Sequence, residues 1–227
     1  MTTTDPAAIK DYLDGLPEPE AALFPEPAEG ADPLVDDLVI STLVWNATPT
    51  QANAALGRLR EAASDYNELR ICLPDEVESL LGPRYPLVAE RTDRLLRMLN
   101  AVFASQHAMT LDVLRDTSKR DAKAFLDELN GILPFIAGRV FLLGLGGHAF
   151  PVDDRTAAAL VELGLLEDDI DSAGASARCE RALRAGEAAP AFRRLEAAMN
   201  QKLAKPAAGR RKRAAGGAKP KRSSSKS

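Results

Sequence analysis

Apolar residues between residues 38 and 201 recur at the spacing of a helix face, and this periodicity constrains the fold more than any other feature. The longest stripe, made of leucine, valine and phenylalanine, runs through residues 86–105. Capping residues followed by proline, as at Thr48-Pro49, mark where helices begin. We find no convincing strand in the sequence. It therefore predicts an all-α fold, in one compact domain or two small lobes.

Charge divides the chain into three parts. Residues 1–37 carry ten acids and a single lysine, whereas residues 202–227 carry ten lysines and arginines and no acid. We therefore predict an acidic, proline-rich arm over residues 1–35, extended apart from a short helix near Ala7 to Leu13. A helical domain follows over residues 36–204, and residues 205–227 form a disordered basic tail that cannot bury a core.

Several classes of protein are not expected. No run of eighteen apolar residues occurs, so we predict no membrane span. The N-terminus lacks a basic start followed by an apolar stretch, which is the pattern of a secretory signal. Cys72 and Cys179 lie far apart and cannot form a metal site alone, so they are expected to be reduced, buried side chains.

A tight turn, Asn130-Gly131-Ile132-Leu133-Pro134, separates two short predicted helices within about residues 121–146. Backbone N–H groups at the start of the second helix form a site for a phosphate, and Gly131 lets the backbone approach closely. Such a hairpin is also found in ordinary helical cores. Further along, Asp153 is predicted to cap the next helix.

Residues 142–165, LLGLGGHAFPVDDRTAAALVELGL, resemble the stretch after the hairpin in the endonuclease III-like (helix-hairpin-helix, HhH-GPD) DNA glycosylases. Asp153 matches the catalytic aspartate of that family. Residues 43–59 resemble its early helix pair, with Asn46 at the position of a DNA-inserting glutamine. Tyr85, together with Ala89-Glu90, resembles the second DNA-facing turn.

The resemblance implies a two-lobed helical fold that binds double-stranded DNA. Asp153 would stabilise the positive charge that develops on the deoxyribose and activate water. Asn46 and either Arg84 or Tyr85 would fill the gap left by the flipped base. The alternatives are an ordinary helix cap for Asp153 and a half-buried aromatic at a helix start for Tyr85.

The chain departs from the family at the hairpin. The lysine of bifunctional members falls at Phe135, or at Arg139 in a shifted register, and neither side chain can form a Schiff base. Leu133 stands where the second hairpin glycine is expected. Only Cys179 lies in the second half, so the family's iron–sulfur cluster cannot form. We predict a divergent member with no cofactor and no lyase step.

The basic tail indicates the same partner by a separate argument. Arg210, Arg211, Lys212 and Arg213 form its densest cluster, which suits contact with phosphates without reading the base sequence. A solubilising tail or another polyanion is the alternative. We expect a monomer that binds double-stranded DNA in the cytoplasm, close to the nucleoid.

Three functions remain open on this basis. The leading one is a monofunctional DNA glycosylase that hydrolyses a damaged or mispaired base using Asp153. The second is a catalytically inactive DNA-binding protein that has kept the fold. The third is a helical interaction scaffold in which the acidic arm masks the basic tail.

Overall fold

The computed structural model describes residues 5–201 and 203. Within these residues the chain forms eleven α-helices, a 3-10 turn and a π-helical turn, and no strand, which confirms the all-α prediction. The helices are α1 (Pro6–Asp14), α2 (Pro33–Val44), α3 (Pro49–Ala62), α4 (Tyr66–Leu69), α5 (Pro74–Leu81), α6 (Val88–Gln106), α7 (Lys119–Glu128), α8 (Pro134–Arg139), α9 (Asp154–Glu162), α10 (Ser172–Ala182) and α11 (Ala185–Ala198). The 3-10 turn is Asp112–Arg115 and the π-helical turn is Val140–Gly144.

Proline and a capping residue set many of the helix starts. Helices α1, α2, α3, α5 and α8 all begin at a proline, whose missing N–H is one that a first turn leaves unpaired anyway. At α3, the Thr48 hydroxyl accepts from the Gln51 amide, and the Gln51 side chain accepts from the Thr48 amide. The helix starts predicted at Pro49 and Pro74 are therefore confirmed.

Helix α2 lies at the centre of the molecule. Ten of its twelve residues are buried, as expected for a helix that is apolar on every side. Helices α3, α6 and α8 and the π-helical turn all pack against it. Helices α3 to α6 extend from it as one lobe, and α1 with α9 to α11 forms the other. None of the described helices is both long and apolar enough to cross a membrane.

The sequence predicted a largely extended N-terminal arm, whereas in the structure this segment packs against the helical body. Helix α1 buries Ile9 and Leu13, which lie one turn apart, and packs against α10 and α11. Lys10 forms an ion pair with Glu187 at 3.0 Å, and Arg194 forms one with Asp14 at 3.1 Å. Helix α2 also begins three residues before the predicted domain boundary at residue 36.

Helix α6 carries the predicted apolar stripe. Its residues Leu95, Leu99 and Val102 are fully buried, since they face α2 and the neighbouring helices. The helix begins at Val88 rather than near Pro86, because Leu87 has a left-handed backbone with φ of 53°. The loop before α6 is therefore longer than the sequence predicted.

The helix predicted over Ala137–Leu145 begins at Pro134 and changes from α to π geometry at Val140. The turn packs closely against α2. A Cβ atom added at Gly144 would lie 2.6 Å from a Leu34 methyl carbon and 2.9 Å from an Asp37 carboxylate oxygen. Glycine is therefore needed here for packing.

Candidate nucleic-acid interface

Asp153 lies at the N-terminus of α9 and caps it. One carboxylate oxygen accepts from the Thr156 amide at 2.8 Å, and the other accepts from the Asn46 amide at 2.6 Å. The residue is only 4% exposed. Both oxygens therefore hold backbone groups, and the second bond fixes the α2–α3 loop against α9.

Asn46 is bound to the same helix start. Its backbone is left-handed, with φ of 53°, a conformation that asparagine tolerates better than most residues. Its side-chain oxygen accepts from the Arg155 amide at 3.1 Å, and its side-chain nitrogen donates to Asp154 at 3.4 Å. The amide predicted to enter DNA is therefore engaged by the protein in this conformation.

A small cavity lies beside Asp153. It measures about 20 Å³, and Phe135 and Met199 are among its lining residues. One water needs roughly 10–15 Å³, whereas small-molecule pockets span about 300–1,000 Å³. Phe135, one of the two residues that the resemblance places at the family's lysine position, is buried in the wall. The cavity admits one water and has no room for a nucleobase.

Arg91, near the start of α6, is fully buried beneath two loops. Its guanidinium donates to the backbone carbonyls of Thr42, Leu43 and Trp45 at the end of α2. It also donates to the Pro86 carbonyl, at 3.1 and 3.2 Å, in the α5–α6 loop. One side chain therefore satisfies carbonyls that the end of a helix leaves unpaired, and it joins two loops.

Aromatic rings flank the Arg91 guanidinium. Its central carbon lies 4.9 Å from the centre of the Tyr85 ring and 5.5 Å from that of Trp45. Burial lowers the pKa of Arg91 to about 10, and weaker interactions with Tyr85 and Asp153 act in the opposite direction. Arg91 is therefore a charged group near Asp153 that is held mainly by carbonyl dipoles.

Of the two alternative DNA-contacting side chains predicted in the α5–α6 loop, Arg84 is exposed and Tyr85 is buried. Tyr85 is 8% exposed, its hydroxyl donates to the Leu43 carbonyl at 2.8 Å, and burial raises its pKa to about 12. Arg84 is exposed, and Leu87 is 46% exposed on its left-handed backbone. The loop thus offers a cation and an apolar side chain to solvent, with the tyrosine behind them.

The turn between α7 and α8 packs against α6. Gly131 has φ of 90°, and a Cβ atom there would lie 3.0 Å from the Arg94 carbonyl oxygen and 3.1 Å from the Arg97 Cβ. The Arg94 guanidinium donates to the Gly131 carbonyl at 3.2 Å. Close approach to α6 therefore explains the glycine, and its role in phosphate binding stays a prediction.

Helix α6 brings three loops together on one side of the molecule. Arg91 binds residues 45–48 and 82–87, and Arg94 binds the turn 129–133 with its guanidinium 5.8 Å from the Trp45 ring. We call these three segments the three-loop face. It carries Asn46, Arg84 and Gly131, with Tyr85 and Asp153 buried behind it.

Sequence reasoning missed Arg91, Arg94 and Leu87. Arg91 precedes Leu95 by four residues, so it continues the apolar stripe of α6, and a charged residue at such a position needs buried partners. That signal could have identified it. The exposure of Leu87 depends on the left-handed backbone before α6, for which the sequence gives no signal.

The three-loop face itself carries little unpaired charge. Arg94 forms an ion pair with Glu90 at 2.8 Å, and Arg97 pairs with Asp93 one turn further along α6. Arg84 has no ion-pair partner among the described residues. A polyanion that binds here would therefore need cations from another part of the chain.

The described chain ends close to this face. The Asn200 side chain accepts from the Thr50 amide at 2.9 Å, at the start of α3. Arg155 donates to the Met199 carbonyl, at the start of α9. The sequence continues from there into the basic tail. Its predicted DNA-binding cluster, residues 210–213, lies outside the described residues.

The cysteines show no reactive environment. Cys179 is buried, and burial raises the pKa of its thiol to about 12. Cys72 is partly exposed, and burial and nearby carboxylates raise its pKa. Over residues 5–201 and 203, no three His, Cys, Asp or Glu side chains come together as a metal site requires.

No family model and no curated protein matches the sequence. Solved structures do match. A trapped covalent endonuclease III–DNA intermediate has a TM-score of 0.61 and 14% identity, over 85% of this chain and 84% of its own. A non-covalent endonuclease III–DNA complex has a TM-score of 0.60 and 15% identity, over 84% and 80%.

A third structure, the 3-methyladenine DNA glycosylase of H. pylori bound to 1,N6-ethenoadenine, has a TM-score of 0.57 and 14% identity. The match covers 88% of this chain and 97% of the glycosylase. The chain therefore has the two-lobed helical fold of the endonuclease III-like (HhH-GPD) DNA glycosylases, as the resemblance predicted. It is similar to these enzymes over almost the whole described region.

Proposed function

We propose that this chain is a DNA-binding protein built on a glycosylase fold, which binds duplex DNA as a monomer and does not excise a base. The observation that carries the proposal is the state of Asp153. Both its oxygens accept backbone N–H groups, and the cavity beside it, with Phe135 in its wall, measures about 20 Å³. A carboxylate in that state stabilises the fold, and we infer that it is not positioned to act on a sugar.

The three-loop face supplies groups that suit a duplex. Arg84 can contact a phosphate, and Leu87 is an apolar side chain of the kind that enters a base step and unstacks it. Two of the similar structures are complexes of endonuclease III with DNA. We infer that this chain approaches DNA with the three-loop face. A DNA-binding role also fits a place near the nucleoid in the cytoplasm.

The basic tail supplies most of the affinity in this proposal. Arg94 and Arg97, on α6 beside the face, are already paired, whereas residues 202–227 carry ten cations and no acid. Met199 and Asn200 lie beside α9 and α3, next to the face, and the tail follows them in the sequence. Phosphate neutralisation by the tail releases counterions, so binding should weaken steeply with salt.

The test is a salt titration of the affinity for a fluorescent 20-base-pair duplex. Deleting residues 205–227 should weaken binding and abolish most of its salt dependence. In the full chain, Arg84→Ala combined with Leu87→Ala should also weaken binding. Arg193→Ala is the matched control, since it removes an exposed arginine that faces the N-terminal segment. Equal affinity for all three variants and the wild type would refute the proposal.

A monofunctional DNA glycosylase is the second candidate, because Asp153 stands at the family's catalytic position. One of its two bonds, from the Asn46 amide, joins it to the α2–α3 loop, and opening that loop would free the oxygen. With Phe135 at the lysine position, no Schiff-base step is available. Release of a uracil, oxidised or alkylated base that is lost in Asp153→Asn would establish this function.

A further inference from the structure

The buried guanidinium of Arg91 forms hydrogen bonds with two loops of the three-loop face at once. Its two terminal nitrogens donate to the end of α2, and one of them donates to both the Trp45 carbonyl and the Pro86 carbonyl. Both carbonyls lie within hydrogen-bond distance of a single nitrogen atom. Arg91 therefore holds the Asn46 loop and the Arg84–Leu87 loop close together.

No carboxylate forms a hydrogen bond with Arg91 among the described residues, which distinguishes it from the other fully buried arginine. Arg139 is bound by both oxygens of Glu196, at 2.7 and 3.1 Å. Arg91 instead has carbonyl oxygens from four residues, arranged around a planar group with five donors. A lysine could not reach this set of acceptors, since its ammonium is a single point charge.

Tyr85 strengthens the contact that Arg91 makes between the end of α2 and the α5–α6 loop. Its hydroxyl donates to the Leu43 carbonyl at 2.8 Å, so the α5–α6 loop is tied to α2 through a second side chain. The tyrosine ring also packs beside the Arg91 guanidinium. Tyr85, one of the side chains predicted to contact DNA, therefore links the α5–α6 loop to α2. The same loop exposes Arg84 and Leu87 to solvent.

We propose that Arg91 is a positioning residue that makes the two loops one rigid, preorganised surface for a deformed duplex. The proposal rests on the proposed DNA-binding function. A surface fixed before binding loses little conformational freedom when the complex forms, which favours affinity. Leu87, held at a fixed distance from the Asn46 loop, can enter the duplex only where the bases unstack. It should therefore favour a duplex that bends or unstacks at low cost, such as one with an abasic site.

The experiment uses the full chain and its single tryptophan, Trp45, which packs against the Arg91 and Arg94 guanidinium groups. Fluorescence of Trp45 and amide hydrogen exchange of residues 45–48 and 82–87 report on the two loops without DNA. Affinities for an intact duplex and for the same duplex with an abasic site report on binding. All measurements are made well below the unfolding temperature of every variant.

Arg91→Lys should increase exchange in both loops together and shift the Trp45 emission. It should also weaken binding to the abasic duplex by about tenfold and bring the ratio of the two affinities close to one. Tyr85→Phe, a milder change that keeps the fold, should give smaller effects in the same direction. The control, Arg139→Lys, changes a buried arginine that binds Glu196 and the Ser41 hydroxyl but neither loop, and it should leave the affinity ratio and the exchange of both loops unchanged.

The proposal is overturned if the Arg91 and Tyr85 variants keep the wild-type affinity ratio, or if Arg139→Lys alters it equally. A wild-type chain that binds neither duplex refutes the proposed function instead. In that case hydrogen exchange of the Arg91→Lys variant tests the positioning role. Faster exchange in both loops supports that role, and faster exchange in one loop alone contradicts it.

Discussion

At the scale of single residues, three buried charges are stabilised in three different ways. Asp153 accepts backbone N–H groups, Arg91 donates to backbone carbonyls, and Arg139 pairs with Glu196. The first two shape the three-loop face, whereas the third joins α8 to α11. Asp153, which the resemblance places at a catalytic position, therefore stabilises the fold, since both its oxygens accept backbone N–H groups.

Glu196→Gln should destabilise the protein by about 3–5 kcal/mol, because the change leaves the Arg139 charge buried without its partner. Urea unfolding would measure the free energy of unfolding. Glu61→Gln, at an exposed position on α3, is the control and should stay within about 0.5 kcal/mol of the wild type. A cost for Glu196→Gln no larger than for this control would contradict the account of the pair.

Asp37 should make stability depend on pH in a defined direction. Burial raises the pKa of its carboxyl above 3.8, and attraction from Arg139 only partly offsets that effect. Since the raised pKa means that the folded state favours the protonated form, the contribution to stability is complete below the ordinary pKa. It is lost as the pH rises through the raised value.

Asp37→Asn should therefore raise the free energy of unfolding at pH 7, and this gain should shrink as the pH is lowered toward 3.8. Thermal unfolding across that pH range measures it. The exposed Asp11→Asn is the control and should show no such trend. A gain that is the same at every pH would show that charge at Asp37 is not its cause.

At the scale of elements, glycines allow the π-helical turn and the link after it to pack. A Cβ atom at Gly147 would overlap the Phe141 ring, and one at Gly138 would lie 3.1 Å from the Pro151 Cβ. These contacts hold α8 and the following link against each other. Asp153 follows directly after Pro151 and Val152, so its position depends on this packing.

Gly147→Ala should destabilise the protein by about 1–3 kcal/mol, because the added methyl group forces the buried Phe141 ring to move. Gly57→Ala is the matched control. Gly57 is exposed in the middle of α3 with open space around its Cα, so alanine there should add about 1 kcal/mol of stability. Denaturant unfolding of both variants measures the difference, and equal effects would contradict the packing argument.

Local signals in the sequence predicted much of this architecture. The Thr48-Pro49 pair, Pro74 and Asp153 marked helix starts, since caps and proline act on the residues next to them. The state of Asp153 could not be predicted, because its second bond comes from Asn46, more than one hundred residues away. The same holds for Arg91, whose carbonyl partners lie in two separate loops.

At the scale of the whole molecule, opposite charges lie on the two ends of the chain. The N-terminal segment runs beside α11 and exposes carboxylates, including Asp11, Glu20, Glu26 and Glu29. The ten cations of residues 202–227 begin just after α11. We expect the exposed acidic segment to compete with DNA for the basic residues at low ionic strength.

Changing Asp11, Glu20, Glu26 and Glu29 to their amides should therefore tighten binding to duplex DNA at low salt. The gain should fade near physiological ionic strength, where the charges are screened. Fluorescence anisotropy at two salt concentrations measures it. The same changes in a chain lacking residues 205–227 are the control, and a gain that persists there would exclude masking of the tail.

The most direct test of the central claim measures binding and base release in the same reactions. Wild type and Asp153→Asn are incubated with duplexes that carry uracil, oxidised or alkylated bases, and both affinity and excision are recorded. We predict that neither protein releases a base, and that Asp153→Asn still binds DNA, although more weakly, because one of the two backbone N–H groups loses its acceptor. Base release by the wild type that disappears in Asp153→Asn would contradict the claim and show that Asp153 is catalytic.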